Sequence, residues 1–253
     1  MNLLAIIPAR GGSKGIPRKN LALVAGRPLL EWTCRAALES RPLTRVILST
    51  EDSEIAERGR EFGVEVPFLR PPELAQDETP TLPVVRHALE FLAEREAYRP
   101  DAVVLLQPTA PLRRAAHIDG AVSRMMETGA DAVVGVSPVP VHFHPYWVFD
   151  LDGEDRLKPA HPDGGPERYP RRQALPPAYT RNGAVYIART RLILQENSLY
   201  GPAPAGYVMP PEDSVNVDAP ADLARAEEAL LERMASEGER TTSSRAAAIS
   251  AFR

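Results

Sequence analysis

The stretch "IIPARGGSKGIPRKN", residues 6–20, is an apolar run that breaks off into glycines and cations. Residues 3–8 carry almost no polar side chain, the pattern of a strand buried on both faces. Ala9-Arg10-Gly11-Gly12-Ser13-Lys14-Gly15 then has too many glycines to continue a strand and too much charge to lie in a core. Downstream, Leu29, Leu30, Thr33, Ala36 and Ala37 share one side of a helix predicted over 28–40. A second strand is expected at 45–50, a helix at 52–62 stopped by Gly63, and a short third strand at 64–69. A helix over 80–96 leads to "DAVVLLQ" at 101–107, and a helix over 115–128 leads to "DAVVGVS" at 131–137. The two "DAVV" starts are separated by the length of one βαβ unit. The pattern predicts an α/β fold, a mostly parallel sheet with helices on both faces.

The alternation stops at residues 138–181, which are rich in proline, glycine, histidine and arginine, with only "YWVFDL" resembling a strand. Some forty residues of weak structure inside a compact domain read as an inserted arm. Regular structure is expected again at 182–188, 191–196, 206–209 and 214–218, and in a helix over 220–233. Asp218 is placed to cap that helix, with Pro220 in its first turn. The expected organisation is an α/β domain of residues 1–137 and 182–235, an arm of 138–181, and a disordered tail of 236–253.

With 253 residues, 43% of them hydrophobic, the chain can bury one sizeable core. A net charge of -4 gives no general attraction to nucleic acid or to an anionic membrane. No run approaches about 18 apolar residues, so no spanning helix is expected. The one cysteine, Cys34, allows no intrachain disulfide and points to a reducing, cytoplasmic setting. His142 and His144 lack further Cys or His partners at zinc spacing. Of 30 basic residues only Lys14, Lys19 and Lys158 are lysine, and two of these lie in the opening loop. Lysine is a compact point charge suited to one phosphate oxygen, where arginine is a planar fork.

Ligands of open α/β sheets bind beyond the carboxyl ends of the strands, which is where this loop falls. Its glycines would let backbone N–H groups approach an anion, and Arg10, Lys14, Arg18 and Lys19 add charge. The loop matches neither G-x-x-x-x-G-K-[ST] nor G-x-G-x-x-G. It is either a phosphate site of another kind or a solvated basic turn.

The same stretch, extended to "IIPARGGSKGIPRKNL", resembles the signature of the acylneuraminate cytidylyltransferases, the CMP-sialic acid synthetases, with relatives acting on legionaminic and pseudaminic acids. "STEDSEIAERGREFGVEVPFLRPPELAQDETPT", "LLQPTAPLR", "RRQALPPAYTRNGAVYI" and "SVNVDAPADL" extend the resemblance in register to Leu223. It implies a nucleotidyltransferase, Rossmann-like fold that joins CTP to a nine-carbon acidic sugar and releases pyrophosphate. It further implies Mg²⁺ (or another divalent cation) as cofactor, and a homodimer whose arms reach across to the partner's site. By resemblance Ala9, Arg10, Gly11, Lys14, Lys19, Asn20, Arg70 and Thr81 bind the nucleotide. Thr81 could equally be only the start of its helix. Gln107, Arg172 and Tyr179 would bind the sugar, with Arg172 paired to its carboxylate; Lys14, Lys19, Gln107 and Asp218 would serve catalysis; Asp218 and Asn216 would hold the metal.

Two departures stand out. The family's Asp-x-Asp is Asn216-Val217-Asp218 here, and a basic residue found after "HP" in some members is replaced by Tyr146-Trp147. They leave two other readings open: a cytidylyltransferase for another sugar acid of the KDO type, or a catalytically impaired nucleotide-binding homologue.

Overall fold

In the computed structural model, which describes residues 1–250 and side chains through residue 237, the opening apolar run is strand β1 (Leu3–Pro8). A short hairpin of β2 (Leu23–Val24) and β3 (Arg27–Pro28) follows; Ala25 and Gly26 both have positive φ, as a tight two-residue turn requires. The chain continues through α1 (Leu29–Leu38), β4 (Arg45–Ser49), α2 (Ser53–Glu61), α3 (Thr81–Glu96), β5 (Ala102–Leu105), α4 (Ala115–Thr128) and β6 (Ala132–Pro138). After a ribbon of β7 (Phe149–Leu151) and β8 (Leu157–Pro159) come β9 (Tyr179–Arg189), α5 (Thr190–Leu194), β10 (Ala205–Val208) and α6 (Pro220–Ser250).

The main sheet runs β10-β6-β9-β5-β1-β4. Pairing is parallel between β1 and β4, β1 and β5, and β10 and β6, while β9 runs antiparallel to both its neighbours. Alternation along β1 shows why both faces are covered. Leu3, Ala5 and Ile7 join Leu30 of α1, Ile55 of α2 and Ile118 of α4 in one core. Leu4 and Ile6 join Val85 and Leu92 of α3 and Ile193 of α5 in the other. A third cluster packs Ile16 of the glycine-rich loop against Val24, Val217, Ala226 and Leu230, which fastens the loop to α6.

Two local expectations are corrected. Residues 64–69 form no strand: Glu65 makes a single bridge to Ile47, and Pro67, without an N–H, cannot extend the ladder. Residues 214–218 form no strand and are tied instead by the Val217 N–H donating to the Thr109 carbonyl at 2.7 Å. α6 is assigned as far as Ser250, into the tail expected from residue 236. Residues 251–253 of that tail lie outside the described residues.

The arm is a ribbon pinned by rings. The Trp147 indole donates to the Tyr169 carbonyl at 2.9 Å, and Tyr146 stacks on Tyr169 with centroids 4.8 Å apart. His144 Nε2 donates to the Pro176 carbonyl at 2.9 Å while its Nδ1 accepts from the Tyr146 N–H. Phe143, Leu151 and Leu157 are more than half exposed on it.

Candidate active site

Two buried arginine and aspartate networks, one of hydrogen bonds to neutral oxygens and one of ion pairs, fix the walls on which the site stands. Arg113 is buried and donates to the carbonyls of Gln107 and Ala184 and to Thr33 Oγ1, locking the turn after β5. Asp213 is buried between Arg233 at 2.6 Å and Arg114 at 2.8 Å, with His117 Nε2 at 3.2 Å. Burial pushes the His117 imidazole below its ordinary pKa, despite the opposing pull of Asp213. These contacts fix the approach to residues 214–218, which cross the carboxyl end of the sheet.

A cavity of about 400 Å³ opens there, bounded by the glycine-rich loop, Arg70, Asp77 and the crossing segment. Arg10 lines it and pairs with Asp77 at 2.8 Å. Lys19 lines it with a largely buried side chain, its Nζ donating to the Val217 carbonyl at 3.0 Å and lying 3.3 Å from Asp218 Oδ1. Asn20 is buried and donates to the Arg10 carbonyl at 2.8 Å, which sets the turn of the loop. The buried guanidinium of Arg70 donates to Glu51 at 2.9 Å, and its Nε has no partner. Burial lowers the Arg70 pKa. Glu51 also accepts from the Gly11 N–H at 2.7 Å, so one carboxylate braces both the loop and Arg70. Gly15 is required by proximity: a Cβ there would come within 2.7 Å of the Asp218 carbonyl oxygen.

A second cavity of about 450 Å³ adjoins the first, walled by Leu82, Leu105, Tyr186, Leu199, Tyr200 and Arg181. Thr81, Gln107 and Asn216 line both cavities and form the junction. Gly183, at φ +74, keeps that junction open; a Cβ there would lie 3.1 Å from Asn216 Oδ1 and 3.2 Å from Gln107 Oε1.

The structure therefore brings Arg10, Lys19, Asn20, Arg70, Thr81, Gln107, Asn216 and Asp218 together. Several expected residues stand elsewhere. Ala9 is fully buried and Gly11 spends its N–H on Glu51, so they shape the loop from behind. The Lys14 side chain is 78% exposed and reaches the rim only through Asp77, at 3.0 Å. Arg18 turns away to Asp52 and Glu54, whose carboxylates raise its pKa, Asp52 contributing most. Arg172 and Tyr179 are exposed and line neither cavity of their own chain. The Asp218 carboxylate meets Lys19 and the Asn216 amide, while the Asp222 carboxylate accepts from the backbone N–H groups of Asp218 at 3.0 Å and Ala219 at 2.8 Å. Sequence reasoning missed Glu51, Asp77 and Arg181. A carboxylate two residues past the end of β4, beside a basic loop, was the signal available for Glu51.

No cluster of three or more His, Cys, Asp or Glu side chains is arranged to hold a metal among the described residues. Asn216 Oδ1 is nevertheless buried without a hydrogen-bond partner, while its amide nitrogen donates to Asp218 Oδ2. The amide oxygen and the Asp218 carboxylate are hard oxygen donors of the kind Mg²⁺ takes, with the amide N–H₂ rather than its oxygen turned to the carboxylate here; Mg²⁺ often takes one or two protein ligands and completes its shell with water and phosphate.

Residues 4–239 match the family model described as cytidylyltransferase. The chain is 34% identical to CMP-N,N'-diacetyllegionaminic acid synthase of Legionella pneumophila subsp. pneumophila, over 91% of this chain and 97% of that protein. It is also 34% identical to N-acylneuraminate cytidylyltransferase A of Danio rerio, over 91% of this chain but about half of that protein (51%). A solved structure of CMP:2-keto-3-deoxy-manno-octonic acid synthetase complexed with CTP superposes with a TM-score of 0.67 at 18% identity, covering 92% of this chain and 100% of that one. That likeness shows the nucleotidyltransferase fold. No helix among the described residues is long and apolar enough to cross a membrane. A basic cavity at the end of β1, matched in sequence along nearly the whole chain, makes this protein a member of the cytidylyltransferase family.

Proposed function

We propose that the chain joins CTP to a nine-carbon acidic sugar of the sialic acid type, giving the CMP-sugar and pyrophosphate. The observation that carries this reading is the pair of adjoining cavities, one basic and one of mixed polar and apolar lining, meeting at Thr81, Gln107 and Asn216. The triphosphate lies against Arg10, Lys19 and Arg70, and the sugar occupies the second cavity. The anomeric hydroxyl oxygen then attacks the α-phosphorus across the junction and gives up its proton to solvent, the bond from that phosphorus to the bridging oxygen breaks, and pyrophosphate leaves. The protein's part is to align the two reactants and neutralise the phosphates, with no covalent intermediate on a side chain. The Gln107 amide can both donate to and accept from a sugar hydroxyl at the junction. Asn216 Oδ1 and the Asp218 carboxylate would hold a divalent cation. Bound there, such a cation would draw charge from the phosphates. The apolar wall of Leu82, Leu105 and Leu199 suits the methyl groups of N-acyl substituents, in keeping with the name of the Legionella relative.

A pyrophosphate-release assay with CTP, Mg²⁺ and a panel of sugar acids tests this. Release should require CTP and a nine-carbon acid together. Turnover of an eight-carbon, KDO-type acid alone would move the assignment to that class. CTP binding without release from any acid would make the chain a non-catalytic homologue.

The exposed apolar side chains of the arm, Phe143, Leu151 and Leu157, support a homodimer in which the arm, carrying Arg172, crosses to the other subunit. Sedimentation should give about twice the chain mass of 27.7 kDa. A monomer at micromolar concentration with full activity would remove the arm from the site.

A further inference from the structure

We propose that Lys19, beyond meeting the triphosphate, makes the binding of a divalent cation at Asp218 conditional on the nucleotide. The metal position belongs to the function proposed above, on which this rests; the inference concerns the ammonium beside it. Both oxygens of the Asp218 carboxylate are held by N–H groups of the chain. Lys19 Nζ lies 3.3 Å from Oδ1, and the Asn216 amide nitrogen donates to Oδ2. The carboxylate is thus neutralised by one ammonium, and among the described residues no cluster of three or more His, Cys, Asp or Glu stands by to add ligands. The cavity is lined by three cations, Arg10, Lys19 and Arg70, against two carboxylates, Asp77 and Asp218, so its lining is net positive. Such a lining opposes a divalent cation that arrives alone. With a triphosphate present the same pocket turns negative, and phosphate oxygens can accept from Lys19 while Asp218 faces the metal.

Lys19 is built into this position. Its side chain is 17% exposed, against 68% for Asp218, and its Nζ also donates to the Val217 carbonyl at 3.0 Å. It opens the turn Lys19–Leu21, in which Asn20 holds the Arg10 carbonyl. Ile16 packs in one cluster with Val217, and Gly15 backs against the Asp218 carbonyl oxygen. The loop and the crossing segment are thereby fastened together, with the ammonium beside the carboxylate. Lysine has three donors; Val217 and Asp218 take two, and one remains for a phosphate oxygen. An ammonium shared in this way couples the two ligands. The coupling is reciprocal: the nucleotide favours the metal by the same factor by which the metal favours the nucleotide.

The test measures Mn²⁺ binding without nucleotide, by water-proton relaxation, to the unaltered protein, Lys19→Gln, and Lys19→Gln combined with Asp218→Asn. Glutamine keeps an N–H for the Val217 carbonyl and removes the charge. Lys19→Gln should bind Mn²⁺ about three- to tenfold more tightly than the unaltered protein, the scale of an exposed charge pair doubled for a divalent ion. Adding Asp218→Asn should erase the gain. Equal Mn²⁺ affinity in the unaltered protein and Lys19→Gln, or a gain that survives the loss of Asp218, would overturn the proposal. The reciprocal measurement uses Asp218→Asn alone, at an exposed position where thermal melting should not change. In EDTA this variant should bind CTP about two- to fivefold more tightly than the unaltered protein, because Lys19 is released to the phosphates, and Lys19→Gln should shrink that gain. Weaker metal-free CTP binding in Asp218→Asn would overturn the proposal, since Asp218 would then be steadying Lys19 for the nucleotide. None of these measurements uses the sugar acid, so they stand apart from the pyrophosphate assay that decides the function.

Discussion

In the first cavity the basic side chains already hold oxygens of the protein. Arg10 and Lys14 hold Asp77, Lys19 holds Asp218 and the Val217 carbonyl, and Arg70 holds Glu51. In the second cavity Arg181 meets only a neutral phenol, Tyr200. The difference follows the number of cations each cavity holds. A triphosphate brings several negative charges, and four cations assembled without it would repel one another, so carboxylates stand between them. One cation needs no such shielding. The first cavity must exchange internal anions for its ligand; the second is ready to receive it.

The cations of the first cavity are unequal. Lys19 is the sharper case: its largely buried side chain lies between the loop and the crossing segment, bridging Val217 and Asp218. Lys14 is exposed and touches the cavity through Asp77 alone. Lys19→Ala should lower kcat/KM by about 10²-fold, the cost of removing one preorganised charge contact. Lys14→Ala should cost far less, within about tenfold, because solvent screens a charge so exposed. Steady-state kinetics with CTP as the varied substrate measure both. Equal losses would mean that the loop closes over the nucleotide and buries Lys14 on binding.

The sheet was legible because its strands are buried runs bounded by glycine or proline, and because helices of the right length separate them. β1, β5 and β6 emerge where apolar periodicity puts them. The basic loop was legible from the same logic, since its place is set by the strand before it. The segment 64–69 was misjudged because its apolar alternation resembles a strand, while Pro67 denies it the hydrogen bonds. The direction of each cation was illegible. Composition counts Lys14, Arg18 and Lys19 alike, yet Arg18, in the left-handed region at φ 52, swings to Asp52 and Glu54. Asp218 was read as a helix cap on spacing alone, whereas its carboxylate meets Lys19 and Asn216, and Asp222 reaches back to the N–H groups before the helix. Of the second cavity, only the junction residues Thr81, Gln107 and Asn216 were named from sequence. Its walls come from α3, β5, β9 and the irregular stretch around Tyr200, and only the bulge in β9, where its pairing with β6 shifts register between Val134 and Val136, brings them together.

Asp77 gives the smallest expected effect and the most direct test of the contrast between the cavities. Its carboxylate spans Arg10 at 2.8 Å and Lys14 at 3.0 Å, on the rim of the cavity assigned to the triphosphate. Lys14 and then Arg10 hold its pKa below the usual carboxylate value. The charged clasp is therefore complete at neutral pH and loosens only as pH falls through that depressed value, in acid. A phosphate that takes Arg10 must first displace this carboxylate, so part of its binding free energy offsets the broken pair. Asp77→Asn keeps the shape of the side chain and removes the charge. It should lower KM for CTP about two- to fivefold, the modest scale of a solvent-exposed ion pair, and leave KM for the sugar acid unchanged. High salt should shrink the difference between the two proteins, because it weakens the clasp in the unaltered chain. A rise in KM for CTP would reverse the picture. Asp77 would then be holding Arg10 in its productive position, and the first cavity would be as ready for its ligand as the second.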